Sequence, residues 1–266
     1  MYSRTQREVI HPARTSIFLK AKQKMTEGCM FCGQDLIYLK EKTEESCLIC
    51  GMLFPTHARC TQGHYVCDSC HCKDTLERVE ALLVNSRDAD PVRLACRIFE
   101  IPGLNMHGPE YHSIVPAILV TAYQNINEDR NFSAIREAIE RGRSVKGGSC
   151  GLHGNCGAGV GAGIAVSIIE EASPLSSVER SAANRATALA LLAISENAGP
   201  RCCKRDAVTS IVSFIDSTDY FADRSFDTYT CKQFAVNQSC MGKACPYHPA
   251  SQHQNKKKYR ENRIHE

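Results

Sequence analysis

The sequence predicts a mostly α-helical protein, with a small N-terminal zinc-finger module followed by an α-helical domain carrying cysteine-rich loops. Three observations lead there. Eight of the 16 cysteines fall between residues 29 and 72, in a turn-rich stretch with little helical pattern. From Asp74 onward the apolar residues recur at helical spacing, and Gly, Pro or Asn breaks separate the periodic segments. The chain therefore divides into a polar segment (1–28), a zinc-binding module (29–73), a helical domain (74–250) and a disordered basic tail (251–266).

The elements follow in order. Leu76, Val79, Leu82 and Leu83 share one helical face, and Asp90-Pro91 caps a second helix bearing Leu94, Ile98 and Phe99. Further helices are expected over Ser113–Asn125, Phe132–Arg141, Gly157–Ala172, Ser176–Ala198 and Lys204–Ser217. The fifth of these seven opens unusually, as Gly157-Ala158-Gly159-Val160-Gly161-Ala162-Gly163. Each interior glycine costs about 1 kcal/mol against Ala, so something must approach this backbone closely. Another helix would do so, as would an anionic ligand seated over the helix N-terminus. Cys96 sits inside the apolar pattern of the second helix and reads as a buried thiol.

Composition narrows the compartment and the partners. A chain of 266 residues, 43% of them hydrophobic, can bury roughly three quarters of its unfolded surface and so form a core. Its N-terminus lacks the apolar stretch of a signal peptide, and no run approaches the ~20 apolar residues of a membrane span. A cytoplasmic location without membrane contact is expected, and in a reducing compartment paired cysteines favour metal over disulfides. The net charge of +3 and the absence of tryptophan argue against nucleic acid as a partner. The run Lys256-Lys257-Lys258-Tyr259-Arg260 reads as part of a solvated tail.

The N-terminal cysteines form ligand pairs. Cys29-x2-Cys32, Cys47-x2-Cys50, Cys60-x3-His64 and Cys67-x2-Cys70 supply eight ligands, enough for two tetrahedral zinc ions. A Cys-x-x-Cys turn brings two thiolates to one ion while backbone N–H groups stabilise the sulfur charge, and Gly33 and Gly51 follow two such turns. His71 and Cys72 are spare. The stretch from Cys47 to Cys70 resembles the core of RING-type cross-brace fingers. The resemblance implies interleaved sites, Cys47, Cys50, Cys67 and Cys70 on one zinc, with Cys60 and His64 joining Cys29 and Cys32 on the other. The pattern departs from RING fingers because the remaining pair precedes the core, so ubiquitin-ligase activity is not implied. A sequential zinc ribbon, Cys29 and Cys32 with Cys47 and Cys50, is the other arrangement this spacing allows.

Downstream, Asn105-Met106-His107-Gly108-Pro109-Glu110-Tyr111-His112 places two histidines and a carboxylate just before an apolar helix. Such groups can ligate metal or move protons, which makes His107, Glu110 and His112 candidate catalytic residues. Glycine loops then bear Cys150 and Cys156, the stretch Gly199-Pro200-Arg201-Cys202-Cys203-Lys204-Arg205-Asp206 opens another helix, and Cys231-x8-Cys240-x4-Cys245-x2-His248 adds a third group.

From His107 to His248 these features resemble an uncharacterised cysteine-rich family of anaerobic microbes that shares the His-Gly-Pro-Glu, Cys-Gly-Ala-Gly and Gly-Pro-Arg-Cys-Cys-Lys-Arg-Asp stretches. That resemblance implies no activity. A second one does: Gly147-Gly148 with Cys150 or Cys156 before a small-residue helix, and Cys203-Lys204-Arg205-Asp206-Ala207 opening a later helix, look like the iron-sulfur domain of L-serine dehydratases and L-cysteine desulfidases. It implies a [4Fe-4S] cluster held by three cysteines, with an open iron acting as Lewis acid. Cys156 and Cys203 match best. The adjacent Cys202 and Cys203 replace two separated cysteines of that family, leaving the third ligand to come from Cys150, Cys231, Cys240 or Cys245.

Two functions compete at this stage. One is an iron-sulfur lyase of sulfur or amino-acid metabolism acting on a small molecule. The other is a noncatalytic adaptor or cluster carrier whose zinc module docks a protein partner.

Overall fold

The computed structural model describes residues 28, 29, 34–48, 51–101 and 103–251; the side chains of 69 and 72–74 lie outside that description. Cys32, Cys50 and Gly33 fall among the residues not described, as do the basic run and most of the tail. Helices dominate, preceded by one antiparallel hairpin of β1 (Leu36–Ser46) and β2 (Leu53–Cys60). The helices are α1 (Asp68–Val84), α2 (Pro91–Ile98), α3 (Glu110–Ile126), α4 (Phe132–Arg143), α5 (Ser149–Leu152), α6 (Gly157–Ile169), α7 (Val178–Ser195) and α8 (Cys203–Ser217).

α3 is the centre of the body. It packs on α1, α2, α4, α6 and α8, and its residues from Glu110 to Ala122 are buried on every side. A helix that is apolar all round can only be a core helix. α2 starts where the sequence places it: the Asp90 carboxylate accepts from the N–H groups of Val92 and Arg93, and Pro91 occupies the first turn without needing a donor. α1 begins six residues before Asp74, with Cys67 at its N-cap. One continuous helix therefore runs across the expected boundary at residue 73 and joins the cysteine-rich module to the body.

The hairpin is the element the sequence did not indicate. Its strands bury almost nothing on either face, and Leu36, Ile37, Tyr38 and Leu53 are exposed, so the alternation that marks a half-buried strand is missing. Its register, with Leu36 opposite Cys60 and Ser46 opposite Leu53, sets Cys60 at one end of the ribbon and Cys47 just past the other.

The glycines of α6 meet helices on two sides. A Cβ at Gly161 would stand 2.7 Å from Pro116 Cδ on α3, and one at Gly163 would stand 2.7 Å from the Ala183 carbonyl on α7. Helix packing thus accounts for these two positions. Gly142 on α4 is tighter still: an added Cβ would lie 2.5 Å from the carbonyl oxygen of His112 and from Ser113 Cα, both backbone atoms. Pro116 lacks an N–H, so that carbonyl has no helical donor, and the chain crosses it at close range. Gly142→Ala is expected to lower stability by about 1–3 kcal/mol despite its better helix propensity, a few degrees in Tm. Gly151→Ala, whose Cβ meets nothing within 4 Å, is the control. Equal melting temperatures for the two variants would refute the packing account.

Candidate functional site

Two metal-ligand groups form, one at each end of the hairpin. Cys29, Cys60 and His64 have ligand atoms within 4.8 Å of one another, and so do Cys47, Cys67 and Cys70. Either group could hold a metal ion. The groups alternate along the chain, which places Cys29 with Cys60 and His64 and Cys47 with Cys67 and Cys70. Local backbone supports the sulfurs. The N–H groups of Gln62 and His64 donate to Cys60 Sγ at 3.3 and 3.2 Å, and Cys67 N–H donates to Cys47 Sγ at 3.3 Å. Gly51 and Gly63 take positive φ in the turns beside them, which only glycine adopts without strain.

His71 is not in either group. Its Nδ1 stands 3.6 Å from Glu110 Oε2, tying the first turn of α1 to that of α3. Burial opposes charge on both partners, yet their pairing prevails: the His71 pKa is raised and the Glu110 pKa lowered. Glu110 is 1% exposed and packs under the His107-Gly108 turn, where a Cβ on Gly108 would overlap its carboxylate. The carboxylate is therefore an ionised support beneath the turn, whereas the histidines on either side of it, His107 and His112, open into a cleft.

That cleft, about 420 Å³, lies between the hairpin and the helical body. Cys150, Cys203, Arg201 and His153 also line it. Cys150 is in α5, Cys156 is the N-cap of α6 and Cys203 opens α8, and of these three thiols Cys150 and Cys203 line the cleft. Cys156 is within electrostatic range of both Cys150 and Cys203. Backbone donors point at the buried sulfurs: Ala158 and Gly159 N–H at Cys156, Gly108 N–H at Cys203. As thiols they resist ionisation, since burial pushes Cys156 up to about 11 and Cys203 up to about 12. Only a cation at the sulfurs would make them thiolates.

His112 is the best positioned titratable group here. Its Nδ1 lies 2.8 Å from the Val145 carbonyl, which can only accept, so Nδ1 carries the proton and Nε2 keeps the lone pair. Burial lowers its pKa and holds the ring neutral. The ring rests on Gly157, where an added Cβ would come within 2.2 Å of it, beside the N-cap cysteine of α6. Arg201 reaches across the cleft, donating to Tyr38 Oη on the hairpin at 2.9 Å. Gly147 N–H donates to Asp68 Oδ2 at 2.9 Å and makes a second tie between module and body.

The remaining cysteines go elsewhere. Cys202, Cys231, Cys240 and Cys245 line a separate small cavity, so the neighbours Cys202 and Cys203 face different sites. Cys96 is only partly buried against the core, and His248 stacks edge-on with Phe234. The charged residues Arg201, Lys204, Arg205 and Asp206 surround both cysteine groups, and sequence pattern gave no sign of it, because a charge run ordinarily marks a solvated face.

Residues 79–248 match the family of unknown function DUF5714. The chain belongs to that family. No curated protein and no solved structure matches the chain. The DUF5714 region contains the whole cysteine, histidine and arginine lining contributed by the body, while both metal-ligand groups of the hairpin module lie N-terminal to it. Among the described residues no helix is long and apolar enough to cross a membrane.

Proposed function

We propose that the cleft is the active site of an iron-sulfur-dependent lyase acting on small amino acids that bear a β-hydroxyl or β-thiol, and that the hairpin module holds two structural zinc ions. The carrying observation is the opening of Cys150 and Cys203 into the same cleft as His107, His112 and Arg201. Three thiols with backbone donors aimed at two of them suit a [4Fe-4S] cluster held by Cys150, Cys156 and Cys203, and no protein sulfur in this group is left for a fourth iron. Such a cluster supplies a Lewis-acidic iron with a free position for a leaving group.

The chain's own residues do the rest. Of the cations lining the cleft, Arg201 acts electrostatically on Cys203 and would hold a substrate carboxylate through its two-pronged guanidinium. His112 Nε2 takes the proton from the substrate Cα, the electron pair forms the Cα–Cβ double bond, and the β-oxygen or sulfur departs with its bonding pair. The hairpin module, tied down through Tyr38 of β1 and Asp68 of α1, restricts water over the reacting atoms.

Full-length protein prepared without oxygen is expected to be brown and to release ammonia from L-serine or L-cysteine. Cys156→Ser and Cys203→Ser should each remove the iron and sulfide of this site and the activity, with zinc content unchanged. Anaerobic protein lacking both iron and acid-labile sulfide would overturn the reading.

A further inference from the structure

The second cysteine cavity has a different character. Cys202 is the N-cap of α8, and the other three thiols come from the irregular segment after it, folded back so that Cys231 N–H donates to the Tyr247 carbonyl at 2.8 Å. The cavity walls consist almost wholly of apolar atoms. Donors nevertheless address the sulfurs: Asn237 Nδ2 stands 3.6 Å from Cys202 Sγ, and Gly242 N–H donates to Cys240 Sγ at 3.4 Å. N–H groups directed at sulfur stabilise thiolate or cluster charge more than they stabilise a neutral thiol.

One further group points to a ligand. Lys204 also lines this cavity, is 1% exposed, and its Nζ has no hydrogen-bond partner among the described residues. Its Nζ lies over the ring faces of Phe99 at 4.9 Å and Tyr111 at 5.3 Å, and the Glu110 carboxylate acts on it electrostatically without a hydrogen bond to it. A buried ammonium without a bonded counter-charge is costly, and negative charge in the cavity beside it offsets that cost. Beyond Lys204, the Arg205 guanidinium reaches the cavity wall through Met241 Sδ.

Spacing argues against a single zinc ion here. With Zn–S near 2.3 Å, sulfurs on one tetrahedral zinc stand ~3.8 Å apart. The two hairpin groups meet that spacing within 4.8 Å, whereas no three of these four cysteines do, although all four are described. A cubane spreads its cysteines further, because each binds a different iron.

We infer that Cys202, Cys231, Cys240 and Cys245 form a second, closed site for a [4Fe-4S] cluster, with Lys204 as its buried counter-charge. All four irons then carry a protein ligand, so this centre offers no open position to a substrate and gains or loses single electrons instead. It is separate from the cleft, to which it is joined by the Cys202–Cys203 peptide bond.

The test uses the full chain, reconstituted without oxygen with ferrous iron and sulfide. The Cys240→Ser/Cys245→Ser double variant is expected to lose about four irons and four sulfides per chain relative to the wild type. Cys156→Ser, which removes the cleft ligand, should keep about four irons and accept one electron from dithionite. Lys204→Met should keep its iron but reduce at a lower potential, since the lost positive charge no longer favours the more negative reduced state. An unchanged iron count in the double variant, or a Cys156→Ser protein without iron, would overturn the closed site while leaving the wild-type content to decide the cleft separately. An unchanged potential in Lys204→Met would overturn the counter-charge.

Discussion

Cys67→Ser is expected to remove a zinc ion from the full-length protein and to unfold the hairpin module while α2 to α8 stay folded. Cys67 is 3% exposed, caps α1, belongs to the group with Cys47 and Cys70, and donates its N–H to Cys47 Sγ. The module has almost no apolar core to replace what is lost, since Leu36, Ile37, Tyr38 and Leu53 face solvent. Structural zinc contributes on the order of 10 kcal/mol to such folds, far more than a two-stranded ribbon has of its own. Zinc measured by mass spectrometry should fall from two ions per chain, and amide hydrogens in β1 and β2 should exchange freely. Chelation of the wild type should reproduce both changes. Retention of two zinc ions and of hairpin protection in the variant would show that these thiols do not bind metal. The effect should reach the cleft as well, because Tyr38 and Asp68 are the module's ties to Arg201 and Gly147.

The contrast between hairpin and body explains what could be read from sequence. Helices were legible where burial imposes period: Asp90 and Pro91 mark the start of α2 unambiguously, and the apolar run of α3 ends within a residue of its expected limit. α3 starts earlier than expected because Pro109 and Glu110 already occupy its first turn. β1 and β2 left no pattern, as strands exposed on both faces need no alternation, and their register follows the placement of Cys29, Cys47 and Cys60. The division of the later cysteines was invisible for another reason. Cys202 is the cap and Cys203 the first residue of α8, and the turn of backbone between cap and helix sends consecutive side chains to different cavities. Spacing alone does not reveal that divergence. Nor does it reveal that Lys204, in a charged run, is among the largest fully buried side chains of the protein.

The last expected result concerns His112 and separates the roles of the three candidate acid-base residues. Nδ1 is committed to the Val145 carbonyl, the ring is held against Gly157, and burial keeps it neutral, so Nε2 is a fixed base with no need to lose a proton first. His112→Gln should preserve the far-ultraviolet spectrum and the metal content while lowering turnover by roughly a hundredfold or more. The pH profile carries the sign. Because the pKa is lowered in the folded protein, activity should persist below the ordinary imidazole value and fall only as pH drops through that lowered pKa. Glu110 should behave differently, since its carboxylate is buried beside His71 and does not line the cleft. Glu110→Gln leaves His71 without its charge partner and should lower stability, with the acid limb of the profile unmoved. His107, which does line the cleft, is the remaining candidate to protonate the leaving group, and His107→Gln should lower turnover with metal content unchanged. Loss of turnover in His112→Gln with an unchanged acid limb in the residual activity would assign that limb to another group and leave His112 a structural part of the α3–α6 contact.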